Sequence, residues 1–379
     1  MKYSGILRIG FKLLVNDKTK FSALLIGITF AVFLMMQMTA MFAGILNRSS
    51  STVTNIGASM WIMDKGVNTP TTAIPLPNYV LDAVRSMDGV SYAVPIFVGG
   101  TLAKLNDGTY QSVTVIGMDD ESLFGRPELL EGNIKDIYAD NTFIVVKDAE
   151  FSKLKNPKIG TSFELNDHRA TVVGIARVAS NGLNGVPTLY TTYNRAIEYL
   201  PTTRFTISYV LVQPKNEAAI ANIKKQVTKL GYLALTKDEF NKNTSDYYTY
   251  KTGVGTNILI MTLISFIVGL SISGQTFYTF ILENLEKFGA LKAIGAKNRE
   301  LVYMILFMAA VTALIGYGFG IGLVTLMITI ARTNPYYSAI ITFWNLGLAL
   351  GMVIVIAGIS SYIGIRKVLK IEPFDIFRG

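Results

Sequence analysis

The chain has 379 residues, half of them hydrophobic and 16% charged, with a net charge of +9, no cysteine and a single histidine, His168. Soluble proteins carry roughly one charged residue in four, so this balance and the positive mean hydropathy exclude an ordinary soluble domain. The cysteine count excludes disulfide and thiol chemistry, and one histidine excludes a histidine-built metal site.

Residues 1–20 contain "YSGILRIGFKLLVNDKTK", with Ile6, Leu7, Phe11 and Leu14 on one helical side and Arg8, Lys12 and Lys18 elsewhere. The pattern suits an amphipathic helix lying in the membrane interface; a basic tail without structure is the other reading. Phe21–Leu46 follows as the first span. Its apolar run is far longer than the roughly 7–15 residues of a signal peptide's apolar core, and no small-x-small cleavage site follows, so it reads as a retained anchor. Three more segments pass the length test of about 18 apolar residues: Thr256–Leu282, Leu301–Ala331 and Phe343–Ile365. None of the four holds Asp, Glu, Lys, Arg or His. The fold class expected is therefore an α-helical membrane protein with four transmembrane helices, one plus three. An α+β extracytoplasmic domain, residues 47–255, is inserted between the first and second.

Lys and Arg near the spans set orientation. They gather in residues 1–20, in the loop 283–300 and in the tail 366–379, whereas the short loop 332–342 has only Arg332. Both termini and the 283–300 loop are thus expected in the cytoplasm, and segment 47–255 outside. That segment holds 21 basic and 20 acidic residues, so nearly all of the positive charge flanks the spans. The charge reflects topology and lipid contact rather than a nucleic-acid surface.

Within 47–255 the pattern is mixed. Val80, Leu81 and Val84 have helical spacing; "GVSYAVPIFVGGTLAKL" and "YQSVTVIGM" read as strands around the turn "NDGT". "NTFIVVKDAEF" is a strand and a short helix. A second hairpin turns at Asn166-Asp167, "RFTISYVLVQP" is a strand, and "NEAAIANIKKQVTKLGYLALT" is a helix and a strand. The reading is two small α+β halves around an inserted hairpin region, with 179–187 a mobile loop. The polar run "FNKNTSDYYTYKTGVG" could continue helically outward as a stalk, which Gly253 and Gly255 weaken. Chemistry is hard to find. His168 sits at a turn, no Ser is framed as a nucleophile, and Asp119, Asp120 and Glu121 read as helix caps rather than a metal site.

The third span is glycine-rich. Gly316/Gly320 and Gly318/Gly322 form overlapping G-x-x-x-G pairs, and Gly347/Gly351 repeats the spacing in the fourth. Close helix packing, within a bundle or across a dimer, is one explanation; the general glycine enrichment of membrane helices is another.

Between spans two and three lies "ENLEKFGALKAIGAKNREL", Glu283–Leu301. Leu285, Phe288, Leu291 and Ile294 recur at spacing three, Glu283/Lys287 is a favourable i,i+4 pair, and Gly295 suits a helix C-cap. A short amphipathic helix could dock in a protein groove or lie on lipid. The stretch resembles the cytoplasmic loop of FtsX/MacB-type permeases of ABC transporters, with Glu286, Lys287, Phe288, Gly289, Leu291, Lys292, Ala293, Gly295 and Ala296 carrying the likeness. The order basic helix, span, large outer domain, three spans and a tail with Pro373 resembles the family too, and the N-terminus is similar to the DevC-type subfamily. No Walker A run, G-x-x-x-x-G-K-[ST], occurs in the chain.

The resemblance implies a non-catalytic permease with no cofactor of its own. ATP would be bound by a separate ATPase subunit, and two permease copies would sit on two such subunits in a bacterial inner membrane. It implies an ATPase-coupling helix carried by Glu283, Leu285, Glu286, Lys287, Phe288, Gly289, Leu291, Lys292, Ile294 and Gly295. It further implies that ATP-driven motion reaches the outer domain to export a substrate, with a periplasmic adaptor and an outer-membrane duct where the cell has two membranes. An FtsX-like regulator of a cell-wall hydrolase and a LolC/LolE-like lipoprotein-releasing permease share the topology.

Overall fold

The structure, a computed structural model, describes residues 2–183, 185–200, 206–331 and 337–370. Arg332 and the tail from Ile371 to Gly379, with Pro373, lie outside the described residues. In chain order, helices α1 (Lys2–Asn16) and α2 (Lys18–Ser49) come first. Then follow α3 (Ser51–Ile56), β1 (Met60–Met63), α4 (Asn78–Arg85), β2 (Val90–Lys104), β3 (Tyr110–Met118), β4 (Glu128–Gly132), β5 (Thr142–Val146), β6 (Ser162–Leu165), β7 (His168–Arg177) and β8 (Thr188–Thr192). The chain continues through α5 (Tyr193–Tyr199), β9 (Tyr209–Pro214), α6 (Glu217–Lys229), β10 (Leu233–Thr236) and α7 (Lys237–Asp246). It ends with α8 (Gly253–Glu283), α9 (Leu285–Ala293), α10 (Asn298–Ala331) and α11 (Phe343–Leu369). Two compact units result: Met1–Gly44 with Val254–Gly379, and Ile45–Gly253.

In the first unit α2, α8, α10 and α11 are each long and apolar enough to cross a membrane. At about 1.5 Å per residue even the shortest exceeds a hydrocarbon core of roughly 30 Å. The apolar segments of these helices hold no charge, so packing joins them there, and the Lys20–Glu283 ion pair lies at the ends of α2 and α8. One core (Ile28, Val32, Met35, Val324, Val353, Ile356) lies among α2, α10 and α11. A second (Leu14, Leu24, Phe280, Phe288, Met304, Met308, Val368) draws in α1 and α9. The helix α1 buries Leu14, and a Cβ on Gly10 would fall 2.6 Å from Cγ of Met304, so α1 lies directly on α10. Ile9 and Phe11 of the same helix are exposed, so α1 has apolar surface on two sides rather than one.

In the second unit one ten-stranded sheet has the order β10-β1-β9-β2-β3-β8-β5-β7-β4, with β6 pairing β2 and β7. The order β10-β1-β9-β2, joined through α4 and α6, is a β-α-β-β-α-β arrangement with all four strands antiparallel. The other strands are inserted between β2 and β9. The fifteen-residue β2 serves both parts: Val90–Ile96 pairs with β9, and Phe97–Lys104 pairs with β3. The expected two α+β halves around an inserted region are present: the segments 77–96 and 209–236 join, with β1, into one small unit, and the remainder is the insertion, which is larger than a hairpin.

Strand β1 completes that unit and was not expected from the sequence. All four of its residues are buried because both of its faces are covered. Met60 and Ile62 face the α4/α6 side, and Trp61 packs edge-on against Tyr209 and Phe240, 5.3 and 5.6 Å between ring centres. Both hairpin turns form where the sequence places them. Leu165 pairs with His168 across Asn166 (φ 48) and Asp167 (φ 66), the left-handed pair of a tight hairpin turn. The loop expected to be mobile is tied at two points. Asn55 exchanges two hydrogen bonds with the backbone of Ser180, and Lys153 Nζ donates to the carbonyl of Gly185 at 2.5 Å. The stalk is interrupted: after α7 and a π-helical turn at Tyr247–Lys251, Thr252 is extended (φ −106, ψ 160), and α8 starts afresh.

Candidate functional site

The chemistry-bearing candidates of the outer unit resolve into structural roles. Asp119 accepts hydrogen bonds from the backbone N–H and hydroxyl of Ser122, and Asp120 accepts the N–H of Asn194 in the first turn of α5. His168 is exposed and stacks on Tyr199, 4.7 Å between rings. No group of three or more His, Cys, Asp or Glu side chains poised for a metal occurs among the described residues. The outer unit also has a polar cleft, lined among others by Arg48, Asp148, Ser180, Tyr190 and Tyr248. There burial pushes the Asp148 carboxyl up to about 6; the Glu150 carboxylate adds to the rise, and the Glu150 N–H and Arg48 oppose it.

The loop between α8 and α10 is the most developed candidate. The helix α8 ends because Asn284 turns its side chain back, donating from Nδ2 to the Phe280 carbonyl at 2.8 Å, with the residue only 3% exposed. With Asn284 itself out of the helical conformation (φ −103, ψ 12), α9 starts afresh at Leu285. It ends in a Schellman motif: the N–H of Ala296 reaches the Leu291 carbonyl at 3.0 Å, and that of Gly295 reaches Lys292 at 3.1 Å. Gly295 has φ 104, a conformation that costs a side chain dearly and glycine little. Glu300 then accepts the N–H of Lys297 at 2.8 Å and opens α10.

This geometry divides the expected apolar face. Phe288 is 1% exposed and sits inside the membrane unit with Leu14, Phe280, Met304 and Met308; Leu285 and Leu291 pack against the same cluster. Ile294 instead is 85% exposed. The reason is the spacing itself. On a helix of 3.6 residues per turn each step of three falls about 60° short of a full turn, so Leu285 and Ile294 lie about 180° apart. The outward face of α9 is therefore Glu286, Lys287, Ala290, Ala293 and Ile294, all exposed. Gly289 is buried, and Lys292 reaches back to donate to the Leu369 carbonyl at the end of α11, 3.2 Å. Glu283 does not belong to the α9 helix; it closes α8 and pairs with Lys20 of α2.

The glycine expectation divides as well. A Cβ on Gly316 would lie 2.7 Å from Ile28, and one on Gly320 2.5 Å from Val32, so this pair seats α2 on α10. A Cβ on Gly318, Gly322, Gly347 or Gly351 meets nothing within 4 Å among the described residues. Sequence reasoning missed Gly269, where a Cβ would lie 2.3 Å from that of Ala31, and Gly364, whose Cβ would meet Ile281 at 2.9 Å. Neither belongs to a G-x-x-x-G pair in which both glycines pack, and each is matched by a residue on another helix.

Residues 22–230 match the family model of the MacB-like periplasmic core domain, and residues 258–373 that of the FtsX-like permease C-terminal region. The chain belongs to the MacB/FtsX-type family of ABC transporter permeases. An uncharacterised ABC transporter permease of Mycobacterium tuberculosis strain CDC 1551 is 25% identical over 347 residues, covering 90% of this chain and 92% of the relative. A putative hemin transport system permease of Staphylococcus haemolyticus is 23% identical over 124 residues, 32% of this chain and 34% of the relative. Among solved structures, the extracellular domain of the noncanonical ABC-type transporter YknZ from Gram-positive bacteria is similar, with a TM-score of 0.36 and 15% identity. It covers 47% of this chain and 99% of that one. The periplasmic region of MacB from Actinobacillus actinomycetemcomitans has a TM-score of 0.37 and 12% identity, covering 49% and 93%. This MacB/FtsX-type permease is a multi-pass membrane protein, and its outer unit corresponds to the MacB-like domain.

Proposed function

We propose that this permease works in a bacterial inner membrane as the membrane subunit of an ABC efflux system. A separate ATPase binds and hydrolyses ATP and receives α9 in a surface groove. In this reading both termini and α9 face the cytoplasm. Two permease copies stand on two ATPase subunits, and motion reaches the outer unit through α2 and α8, the helices that connect the two units in sequence. The outer unit then drives a substrate out, with an adaptor protein and an exit duct where a second membrane exists.

The observation that carries the reading is Ile294. A large apolar side chain stands 85% exposed at the Schellman-capped end of a helix whose other large apolar residues are packed inward. With exposed Ala290 and Ala293 beside it and Glu286 and Lys287 at the rim, it forms a small apolar ridge with a charged border, suited to a groove on a protein.

The test compares two substitutions in the full chain, co-expressed with its ATPase. Ile294→Asp should insert and fold as wild type while the co-purified ATPase falls at least about tenfold, the scale expected for loss of one interface anchor. Phe288→Asp should act differently, lowering thermal stability by burying an unpaired carboxylate, a cost of several kcal/mol. If Ile294→Asp retains its ATPase at the wild-type level, the coupling role of α9 is wrong.

A further inference from the structure

Two breaks in the membrane unit face each other. The first separates α1 from α2 at Asp17. Its carboxylate Oδ1 accepts the N–H of Lys20 at 3.2 Å, and its carbonyl accepts the N–H of Phe21 at 2.9 Å, so Asp17 begins α2 as its cap. The second separates α8 from α9 at Asn284, described above. One side chain spans both. The Lys20 ammonium pairs with Asp17 Oδ2 at 2.8 Å and with Glu283 Oε2, the last residue of α8. On the other side of the second break, Lys287 Nζ of α9 donates to Asn284 Oδ1 at 2.8 Å. The order along this chain of contacts is Asp17, Lys20, Glu283 and then, through the backbone, Asn284 and Lys287.

We propose that Lys20 is a positioning residue that fastens the α1/α2 break to the α8/α9 break, so that a displacement of α9 moves α2 together with α8. The inference rests on the reading of α9 as the ATPase contact. Three features favour it. The side chains of Lys20, Asp17 and Glu283 are 35%, 33% and 44% exposed, and ion pairs this open add little to folding. Their geometry therefore needs another explanation than stability. Lys20 is also the cation nearest the apolar start of α2, where a lysine with no partner would extend towards lipid headgroups. Here it turns to a carboxylate on another helix instead. Finally, α2 and α8 are the two helices whose chain leads to the outer unit, and this pair joins them at their far ends. The apolar core that α9 shares with α1, α2, α8, α10 and α11 and the Lys292–Leu369 hydrogen bond also tie α9 to the bundle; the Lys20–Glu283 pair adds a charged link from the end of α8 to the start of α2.

The experiment is charge reversal in the intact permease–ATPase complex, reconstituted in vesicles. Lys20→Glu brings three carboxylates together and Glu283→Lys places a second lysine beside the first; either change should force the breaks apart. Each single variant is expected to keep its co-purified ATPase and lose at least about fivefold of the permease-dependent ATP turnover. The double variant Lys20→Glu with Glu283→Lys should regain most of that turnover, and Lys20→Arg should match wild type. A general structural role for either residue would not be rescued by exchanging the charges. Wild-type turnover in Lys20→Glu, or a double variant no better than the singles, overturns the proposal. So does loss of ATPase from Lys20→Glu, which would make the pair part of the docking surface. A wild-type permease that carries no ATPase overturns the coupling reading of α9 itself, and this inference with it.

Discussion

At the scale of single residues, position on a helix decides what a side chain can do. Phe288 matches the family's loop pattern in sequence, yet it is a core residue; Ile294, six residues on, is the exposed one. The sequence period was visible, but its drift against 3.6 residues per turn matters only once the start and end of α9 are fixed. Those ends depend on Asn284 and on the Schellman turn at Gly295, of which only the glycine can be read in advance. Lys20 and Glu283 are less legible still, because no local rule links residues so distant in sequence.

Asp148 is a residue whose environment gives a direct prediction. Its folded-state pKa of about 6 lies above the usual carboxylate value of 3.8. Between these values the folded protein keeps a proton that the unfolded chain releases, so stability from this group is present below about pH 4 and is lost as pH rises to 6. Purified Asp148→Asn should melt a few degrees above wild type near pH 7.5, where the buried charge is absent from the variant, and together with it only near pH 3.5, below the unfolded value. Melting curves at the two pH values decide this, and an offset that does not change with pH defeats it.

At the scale of elements, hydropathy and turn chemistry made much of the fold readable. The spans carry no charge and few polar residues, and the turns at Gly108 and at Asn166-Asp167 carry the residues that left-handed conformations favour. Strand β1 escaped notice because four residues buried on both faces show no alternation. Glycine spacing gave candidates without saying which face they serve. Gly316→Leu should therefore force α2 from α10, costing about 1–3 kcal/mol as overpacking does, whereas Gly318→Leu should be nearly neutral. Thermal unfolding of the two variants in detergent compares them, and equal losses would mean that the α2–α10 contact is not what Gly316 serves.

At the scale of the whole molecule, the distribution of basic residues around the spans leads to a topology that can be tested simply, since the chain has no cysteine to confuse a thiol label. Tyr110→Cys, at an exposed position in the outer unit, should react in intact cells with a membrane-impermeant maleimide. Lys297→Cys, in the loop before α10, should react only after the cells are opened. Labelling of Lys297→Cys in intact cells reverses the orientation. The partition into a membrane unit and an outer unit was legible from composition alone. The internal plan of the outer unit was not, because the pairing of β1 with both β9 and β10 is a long-range choice.

The sharing of β2 between the two parts of the sheet carries one more consequence. The chain reaches the outer unit through α3 and leaves it through α7, and the strands next to them, β1 and β10, are paired with Met60 opposite Thr236. Both covalent connections thus meet the sheet at one corner. The insertion is joined in sequence only to β2 and β9, on the other side of the small unit. In sequence it is a cassette whose loops and edge strands can vary without altering β1 or β10, apart from the segment at Ser180 that Asn55 of α3 holds. Under the proposed function, variation in what the permease handles has its place in those parts of the insertion, away from the two covalent connections.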